Sequence, residues 1–412
     1  MEPTARSIGV HGVFSSEGSD WKRQRKLTAP AFTSVKVKGH YETITLVCNR
    51  LKNKWLNAIN NQKNPEEGIV IDVLPDMMSF TLDIISIIAF GYDLNSVEKY
   101  SDTVDCLLSV LPFMHQRLTT FFPYWKFYHT AIDKKFFKSM PKVKQLVIDI
   151  IEKYQNDRSN EASKNFIEVI LQARQAGEDN LSDQEIFGNA ITLLLAGQDT
   201  TANTLSWCMH YLSRNHKIQN CLFDETTNFI SDPSRESKNW YLPERNQVDN
   251  LNFTLNVIKE TLRIRSPSPL IFLSPTDTPQ VVEVSPNLKT TVTPNEAVVI
   301  TTRRLATEYF GKDFNPRIWE SQDEKEIELL KAIANLPFGG GPRLCPGKHL
   351  SLFESTLFLS MLANNFIVRL ESSNSTAIDE SLAGTEGNIE ESLEFTMGPK
   401  NLRARLFKRT ND

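Results

Sequence analysis

A long apolar stretch in the middle of the chain limits the possible folds more than any other feature. It covers residues 186–212 and follows Ser182 and Glu185. A serine followed three residues later by a glutamate is typical of a helix N-terminus, because each side chain can bond to the backbone N–H of the other residue. A helix with so few polar positions must be covered on most faces. The sequence therefore predicts a long central helix with other elements packed around it.

The rest of the chain predicts a mostly α fold with small β-sheets. Other helices are predicted over residues 82–94, 140–154, 250–265 and 350–362. Short strands are predicted over residues 280–284, 297–301, 366–370 and 402–407, and the last two are expected to pair. Polar stretches at 232–247 and 372–391 are typical of surface loops. No composition break divides the chain, so residues 1–412 are predicted to form a single domain.

Composition excludes several classes of protein. The 412 residues are 40% hydrophobic and 23% charged with a net charge of −4, so no nucleic-acid partner is expected. The five cysteines are scattered and show no C-x-x-C spacing, which argues against a disulfide framework or a cysteine-rich zinc site and favours a reducing compartment. The chain as given shows no signal peptide and no run of about 18 continuous apolar residues that would predict a transmembrane segment.

Candidate chemistry is concentrated in residues 338–347, which read FGGGPRLCPG. Three consecutive glycines let the backbone turn tightly and lie flat against a planar ligand. Cys345 is placed at the start of the apolar helix predicted over 350–362, and Pro346 suits a first helical position. A helix N-terminus lowers a thiol pKa, and a thiolate is an electron-rich donor for haem iron. Arg343 could meet a haem carboxylate with its planar set of donors.

Two other interpretations of this loop were considered. A free cysteine near glycines is most often a small buried apolar residue. A phosphate-binding loop is suggested by Gly347 and Lys348, which match the end of G-x-x-x-x-G-K-[ST]. That pattern fails, because Pro342 occupies the place of its first glycine and His349 that of its hydroxyl residue.

The loop resembles the haem-binding signature of the cytochrome P450 superfamily, F-x-x-G-x-R-x-C-x-G. Its fixed positions are met by Phe338, Gly341, Arg343, Cys345 and Gly347. The resemblance implies the cytochrome P450 fold and a haem b cofactor bound by these residues, with Cys345 as the axial ligand of the iron. It implies an oxidoreductase that acts as a haem-thiolate monooxygenase.

A polar segment, AGQDTTA at residues 196–202, interrupts the long apolar helix. Buried polar side chains are costly unless they have partners. One explanation is that threonine hydroxyls bond to carbonyls one turn earlier and that Asp199 pairs with a basic residue. The segment also resembles the oxygen-activation motif of the family. That resemblance implies that Gly197 opens a groove against the haem, that Thr200 hydrogen-bonds the O₂ being activated, and that Asp199 supplies protons from solvent.

Glu260 and Arg263 resemble the E-x-x-R motif of the family, which is buried and structural. At i, i+3 on one helix they can form an ion pair, although an ordinary solvated surface pair has the same spacing. The family usually adds a second arginine from an F-x-P-x-R-[FW] string. Here that string has Ile318 in place of the arginine, and Arg317 comes one position early. Arg317 is therefore the candidate third member, and the sequence leaves open whether it reaches Glu260.

Trp21 and Arg25 resemble the family's pair of donors to the haem carboxylates. Their i, i+4 spacing puts them on one helical face, whereas the neighbouring Lys22, Arg23 and Lys26 are typical of a basic surface. In the family this surface faces an acidic reductase. Many members have a further carboxylate-binding arginine after the prolines that follow E-x-x-R. Residues 272–274 offer none, which leaves Trp21, Arg25 and Arg343 for that role.

The resemblance runs from about residue 12 to residue 406, and residues 396–403 fit the family's final hairpin. Eukaryotic microsomal members usually have a membrane anchor and two strands before the tryptophan helix. We therefore expect an N-terminally truncated form of the fold. Two hypotheses remain open: an active monooxygenase whose anchor lies upstream, or a truncated and catalytically inactive haem-binding remnant. A full-length form is expected at the cytosolic face of the endoplasmic reticulum membrane, with membrane association only if an upstream anchor exists.

The expected partners follow from the same resemblance. Electrons would come indirectly from NADPH through a separate NADPH–cytochrome P450 reductase, because the chain has no flavin or nucleotide motif. The substrates would be O₂ and an apolar small molecule whose identity the sequence does not give. Aromatic-rich residues 111–117 and 121–127 fall where the family builds the lid of its access channel. Core packing between two helices explains them equally well, and aromatic residues also favour a membrane surface.

Overall fold

The computed structural model describes residues 11–99, 102–120, 122–156, 165–175, 181–230, 242–273, 278–285, 287–294, 296–371, 389–393 and 395–410. As predicted, the fold is mostly helical with small sheets. The helices are α1 (Gly18–Thr28), α2 (Ser34–Gly39), α3 (Tyr41–Asn60), α4 (Val73–Phe90), α5 (Asp102–Leu108), α6 (Val110–Thr119), α7 (Ala131–Asn156), α8 (Phe166–Gln175), α9 (Asp183–Arg214), α10 (His216–Ile230), α11 (Asn252–Arg265), α12 (Thr302–Phe310), α13 (Glu324–Asn335) and α14 (Lys348–Asn365). The strands are β1 (Ile69–Asp72), β2 (Leu270–Leu273), β3 (Gln280–Ser285), β4 (Leu288–Val292), β5 (Val298–Thr301), β6 (Phe366–Leu370), β7 (Glu391–Leu393), β8 (Met397–Pro399) and β9 (Arg403–Lys408).

Helix α9 is the predicted central helix. Both bonds between Ser182 and Glu185 are present at its N-terminus, and most of its residues are buried. It packs along α4 and also contacts α11 and α14. The expectation from the apolar stretch is therefore confirmed, and α9 reaches from one side of the core to the other.

Helix α4 differs from the helix predicted over residues 82–94. It begins at Val73 and ends at Phe90, because Gly91 takes a left-handed conformation with a φ of 61° that stops the helix. By length and composition α4 could cross a membrane, with a mean hydropathy of 1.7 over 18 residues, although 72% of that window is buried inside the protein. The prediction that the chain has no transmembrane segment therefore has one exception by length and composition, helix α4.

Most strands lie late in the chain, as predicted, but β1 at Ile69–Asp72 is an early strand that was not predicted. Strand β9 pairs with both β1 and β6 in an antiparallel sheet, so the predicted pairing of the last two strands is confirmed. Three antiparallel pairs complete the sheets of the described residues: β2 with β5, β3 with β4, and β7 with β8. The predicted loops at 232–247 and 372–391 fall mostly outside the described residues.

The two aromatic-rich segments behave differently. Phe113, in residues 111–117, is fully buried and stacks on Phe136 of α7 with ring centroids 3.8 Å apart, which is core packing between two helices. In the second segment Phe121 lies outside the described residues, whereas Phe122 and Phe127 are exposed and stack on each other at 5.5 Å.

Candidate active site

The glycine loop between α13 and α14 borders an open space. Its two ends are joined by a bond from Cys345 N–H to the carbonyl of Phe338 at 2.9 Å. Gly339 and Gly341 have φ values of 77° and 62°, a conformation that favours glycine. A Cβ placed on either of them, or on Gly340, would meet no atom within 4 Å. The loop therefore presents a bare stretch of backbone to the space beside it.

Cys345 faces accessible space inside the protein. Its side chain is exposed, yet protein surrounds it closely enough that burial raises the pKa of its thiol. Bonds from the N–H groups of Gly347 and Lys348 and the charge of Arg25 act in the opposite direction without outweighing burial. The expected lowering of the pKa is therefore not found in the protein alone. The placement of Pro346 at the first helical position is also wrong, because α14 begins at Lys348 with Gly347 as its cap.

Helix α1 brings the predicted carboxylate donors to this loop. Arg25 Nη2 donates to the carbonyl of Leu344 at 2.7 Å, and Arg343 Nη2 donates to the carbonyl of Ser16 at 2.8 Å. The guanidinium of Arg343 lies 4.5 Å from the centre of the Trp21 ring. Trp21, Arg25 and Arg343, chosen from distant parts of the sequence, thus form one cluster next to Cys345.

The basic residues of α1 are not all surface residues. Arg23 pairs with Glu185 at the start of α9 at 2.5 Å, so its assignment to a basic surface is wrong. The same glutamate accepts a bond from the buried Gln24 at 3.3 Å. Lys22 and Lys26 are exposed, as predicted. The Arg23–Glu185 pair fixes α1 against the central helix and thereby positions the donor cluster.

An accessible strip on α9 lies next to the helix that follows Cys345. Ala196 is exposed and Thr200 half-buried, one turn apart on an otherwise buried helix. The hydroxyl of Thr200 donates to the carbonyl of Ala196 at 2.8 Å. The adjacent Thr201 lies against α14, with its Oγ1 3.1 Å from Ser351 Oγ. The first part of the structural explanation for this polar segment therefore holds, and the strip still faces accessible space.

Gly197 lies where α9 crosses α4. A Cβ at this position would lie 2.7 Å from Cγ1 of Ile85 on α4. The missing side chain therefore allows α9 and α4 to approach each other, and the groove against the haem stays a prediction. The accessible residue of this turn is Ala196.

Asp199 points toward the final hairpin. Thr396 Oγ1 donates to its Oδ2 at 2.6 Å, and Asn203 Nδ2 lies 3.2 Å from its Oδ1. Both of these partners are neutral side chains. Sequence reasoning did not identify Thr396 or Asn203, although a polar residue one turn after Asp199 on a buried helix was a usable signal for Asn203.

Glu260 and Arg263 form a buried pair, as the resemblance implied and a surface pair would not. Both side chains are fully buried, and Nε and Nη2 of Arg263 each donate to a carboxylate oxygen at 2.8 Å. Asn315 N–H donates to Glu260 at 2.9 Å, and Arg263 also donates to the carbonyls of Gly311 and Asp313 at 2.6 and 3.1 Å. The pair therefore joins α11 to the segment after α12.

The structure does not bring Arg317 to Glu260. The Arg317 side chain is 64% exposed and pairs with Glu320 at 3.3 Å. Trp319 takes the position beside Glu260, with its indole N–H donating to Oε2 at 3.0 Å. The short 3₁₀ turn Pro316–Glu320 directs Trp319 inward and Arg317 outward. The candidacy of Arg317 as third member is therefore wrong, and the indole N–H of Trp319, the next residue after Ile318, bonds to Glu260 instead.

These features together fit a haem. A planar cofactor needs a flat backbone surface, which the glycines at 339–341 provide next to open space. Its iron needs an accessible soft donor, which is Cys345. Its carboxylates need donors at the edge, which are Trp21, Arg25 and Arg343.

Comparisons with known proteins agree with this arrangement. The cytochrome P450 family profile matches residues 4–390. Among curated relatives, cytochrome P450 4F5 of Rattus norvegicus is 24% identical over 92% of this chain and 72% of its own length. Cytochrome P450 97B2, chloroplastic, of Glycine max is 24% identical over 97% of this chain and 73% of its own length. The crystal structure of a cytochrome P450 (CYP102L1) has a TM-score of 0.80 at 20% identity, covering 98% of this chain and 86% of that one. The chain belongs to the cytochrome P450 family and is a haem-dependent monooxygenase.

Proposed function

We propose that this chain inserts one atom of O₂ into an apolar organic substrate and that Cys345 would hold the iron of haem b. The observation that carries the proposal is the accessible Cys345 thiol inside a dense region, next to glycines that face open space. When bound, a thiolate-ligated haem supplies the electron density that favours O–O cleavage. Phe338, Gly341 and Gly347 would shape the loop that holds the haem. The chain would act as a single catalytic domain.

The haem carboxylates would be held by the cluster at α1. Trp21, Arg25 and Arg343 are donors without acceptor groups in their side chains, which suits two carboxylates. The contacts of both arginines in the structure are to backbone carbonyls, which are weaker partners than ionised oxygens. Exchanging these carbonyls for carboxylates is therefore favourable.

Proton movement is assigned to Asp199 and Thr200. Thr200 carries the only side-chain hydroxyl of residues 196–200, and its turn of α9 is accessible. A hydroxyl can donate one bond and accept another, so Thr200 can pass a proton while keeping its own position. Asp199 would take a proton from solvent and deliver it toward that hydroxyl. Glu260 and Arg263 have no part in this step and stabilise the fold.

Electrons would reach the site from a separate NADPH–cytochrome P450 reductase. The support is an open hollow of about 540 Å³ along α1, which Lys22 and Lys26 line together with Trp21 and Arg25. Exposed cations on the helix that carries Trp21 and Arg25 favour encounter with an acidic partner close to the cofactor.

An apolar substrate and the cytosolic face of the endoplasmic reticulum membrane belong to the same proposal. Exposed Phe122, Phe127 and Tyr128 form an aromatic surface, and aromatic side chains favour membrane interfaces. The compartment of this protein has to be measured directly, because the name of the Glycine max relative places that protein in the chloroplast. Fractionation of cells that express a full-length form is the direct test.

The ligand assignment is tested by the spectrum of the reduced, CO-bound protein. The haem-loaded chain should show the red-shifted Soret band of a thiolate ligand, and Cys345→Ala should lose it. Cys221→Ala is the matched control, since Cys221 is half-buried and contacts Arg317 far from the loop. A red-shifted band that survives in Cys345→Ala would overturn the proposal.

A further inference from the structure

The β7–β8 hairpin makes a direct contact with the acid of the proposed proton path. Thr396, just before β8, donates to Asp199 Oδ2 at 2.6 Å and accepts a bond from Asn203 Nδ2 at 2.9 Å. Asn203 Nδ2 also lies 3.2 Å from Asp199 Oδ1. Asp199, Asn203 and Thr396 are 6%, 3% and 7% exposed. The three side chains form a closed, buried cycle between the hairpin and α9.

Bonds to other parts of the fold fix the position of the β7–β8 hairpin. Glu391 at its start forms ion pairs with Arg265 of α11 and Arg303 of α12. Met397 N–H donates to the carbonyl of Pro267 at 2.8 Å. These bonds attach the hairpin to the segments around α11 and α12 and bring Thr396 to α9.

The hairpin also approaches α9 closely at Gly398. A Cβ there would lie 1.7 Å from Oδ1 of Asn203, so any side chain would push Asn203 away. Glycine at this position is thus required for the cycle.

We propose that Thr396 and Asn203 are positioning residues that hold the Asp199 carboxylate on the hairpin, away from the strip that carries Thr200. The inference rests on the proposed role of Asp199. In this arrangement the carboxylate takes one proton from solvent hydronium, turns to Thr200, gives up the same proton and returns ionised.

The chemistry of the cycle gives the reason for release. Thr396 and Asn203 both act as donors, which suits a carboxylate with four acceptor sites. A protonated Asp199 has one oxygen that is itself a donor, so it accepts these bonds less well. The contact therefore weakens when Asp199 carries the proton, which is the state that must leave the hairpin.

The first experiment measures the contact between the hairpin and Asp199 without catalytic turnover. Amide hydrogen exchange of residues 391–399 is followed in the haem-loaded ferric chain, in Thr396→Val, in Thr396→Ser and in Asp199→Asn. Losing a hydrogen bond to a charged group should speed exchange on the order of tenfold in Thr396→Val and Asp199→Asn. Thr396→Ser keeps the hydroxyl and should match the parent protein. Unchanged exchange in Thr396→Val would overturn the inference.

The second experiment separates this inference from the proposed function. The haem-loaded proteins are reduced photochemically under O₂, and peroxide released per O₂ consumed is measured. Thr200→Ala and Thr396→Val should both raise the peroxide share, and Thr396→Ser should restore it. If only Thr200→Ala does so, the role of Thr396 is wrong and the proposed function stands. If Thr200→Ala also leaves the share unchanged, the proposed proton path itself is wrong, and this inference with it.

Discussion

Replacing Trp319 with phenylalanine tests whether an indole N–H completes the donors around Glu260. The fully buried carboxylate accepts two bonds from Arg263 at 2.8 Å, one from Asn315 N–H at 2.9 Å and one from Trp319 Nε1 at 3.0 Å. Phenylalanine keeps a flat apolar ring in place but removes the N–H. One acceptor site of a buried, ionised group then loses its donor.

The size of the effect follows from that lost bond. A hydrogen bond to a charged group contributes about 1.5–3 kcal/mol, so we expect the free energy of unfolding to fall by about 2 kcal/mol. The unfolding entropy is about 2.1 cal/mol/K per residue, or about 0.87 kcal/mol/K for the 412 residues. The thermal unfolding midpoint of Trp319→Phe should therefore fall by about 2 °C.

The matched control is Arg317→Gln, two residues away. The Arg317–Glu320 pair is largely exposed, at 64% and 44%, and exposed pairs contribute about 0–1 kcal/mol. Its midpoint should shift by less than about 1 °C. Both variants are followed by far-UV circular dichroism during heating. If Arg317→Gln lowered the midpoint as much as Trp319→Phe, the assignment of Trp319 would be refuted.

Three further substitutions test the glycine loop and a buried acid. Gly339→Ala places a side chain at φ 77° and ψ −156° and should lower the free energy of unfolding by about 1–3 kcal/mol. Gly340→Ala is the control, because its φ of −158° is extended and the change should be close to neutral. Equal losses of thermal stability in the two variants would contradict this prediction. Burial raises the pKa of Glu354 well above its ordinary value, so the folded protein keeps a proton that the unfolded chain releases, and stability should fall as pH rises above that ordinary value. Glu354→Gln should lack this fall, and parallel curves of unfolding midpoint against pH for the two proteins would disprove the burial of a neutral acid.

Features with a local signal could be predicted from the sequence. The start of α9 depends on Ser182 and Glu185, three residues apart, and the Glu260–Arg263 pair lies on one helical turn. Partners from distant segments could not be predicted. Thr396 meets Asp199 across 197 positions of the chain, so its contact depends on how the hairpin packs on α9.

The packing of Gly197 and the orientation of Arg317 could not be predicted for a related reason. Which helix packs against a glycine depends on the crossing of the two helices, and here α4 crosses α9 at Ile85. Which of Arg317 and Trp319 points inward depends on the phase of a five-residue 3₁₀ turn. Neither the crossing nor the phase is visible in residue types alone.

The replacement of the usual arginine separates two requirements of the buried carboxylate. Glu260 needs its acceptor sites filled, and its charge needs compensation. Arg263 supplies the charge through two parallel bonds, and the neutral N–H groups of Asn315 and Trp319 fill the remaining sites. The family string accepts phenylalanine or tryptophan at its last position, but with Ile318 in place of arginine only tryptophan can supply a donor. Filling the acceptor sites is therefore the stricter of the two requirements in this chain.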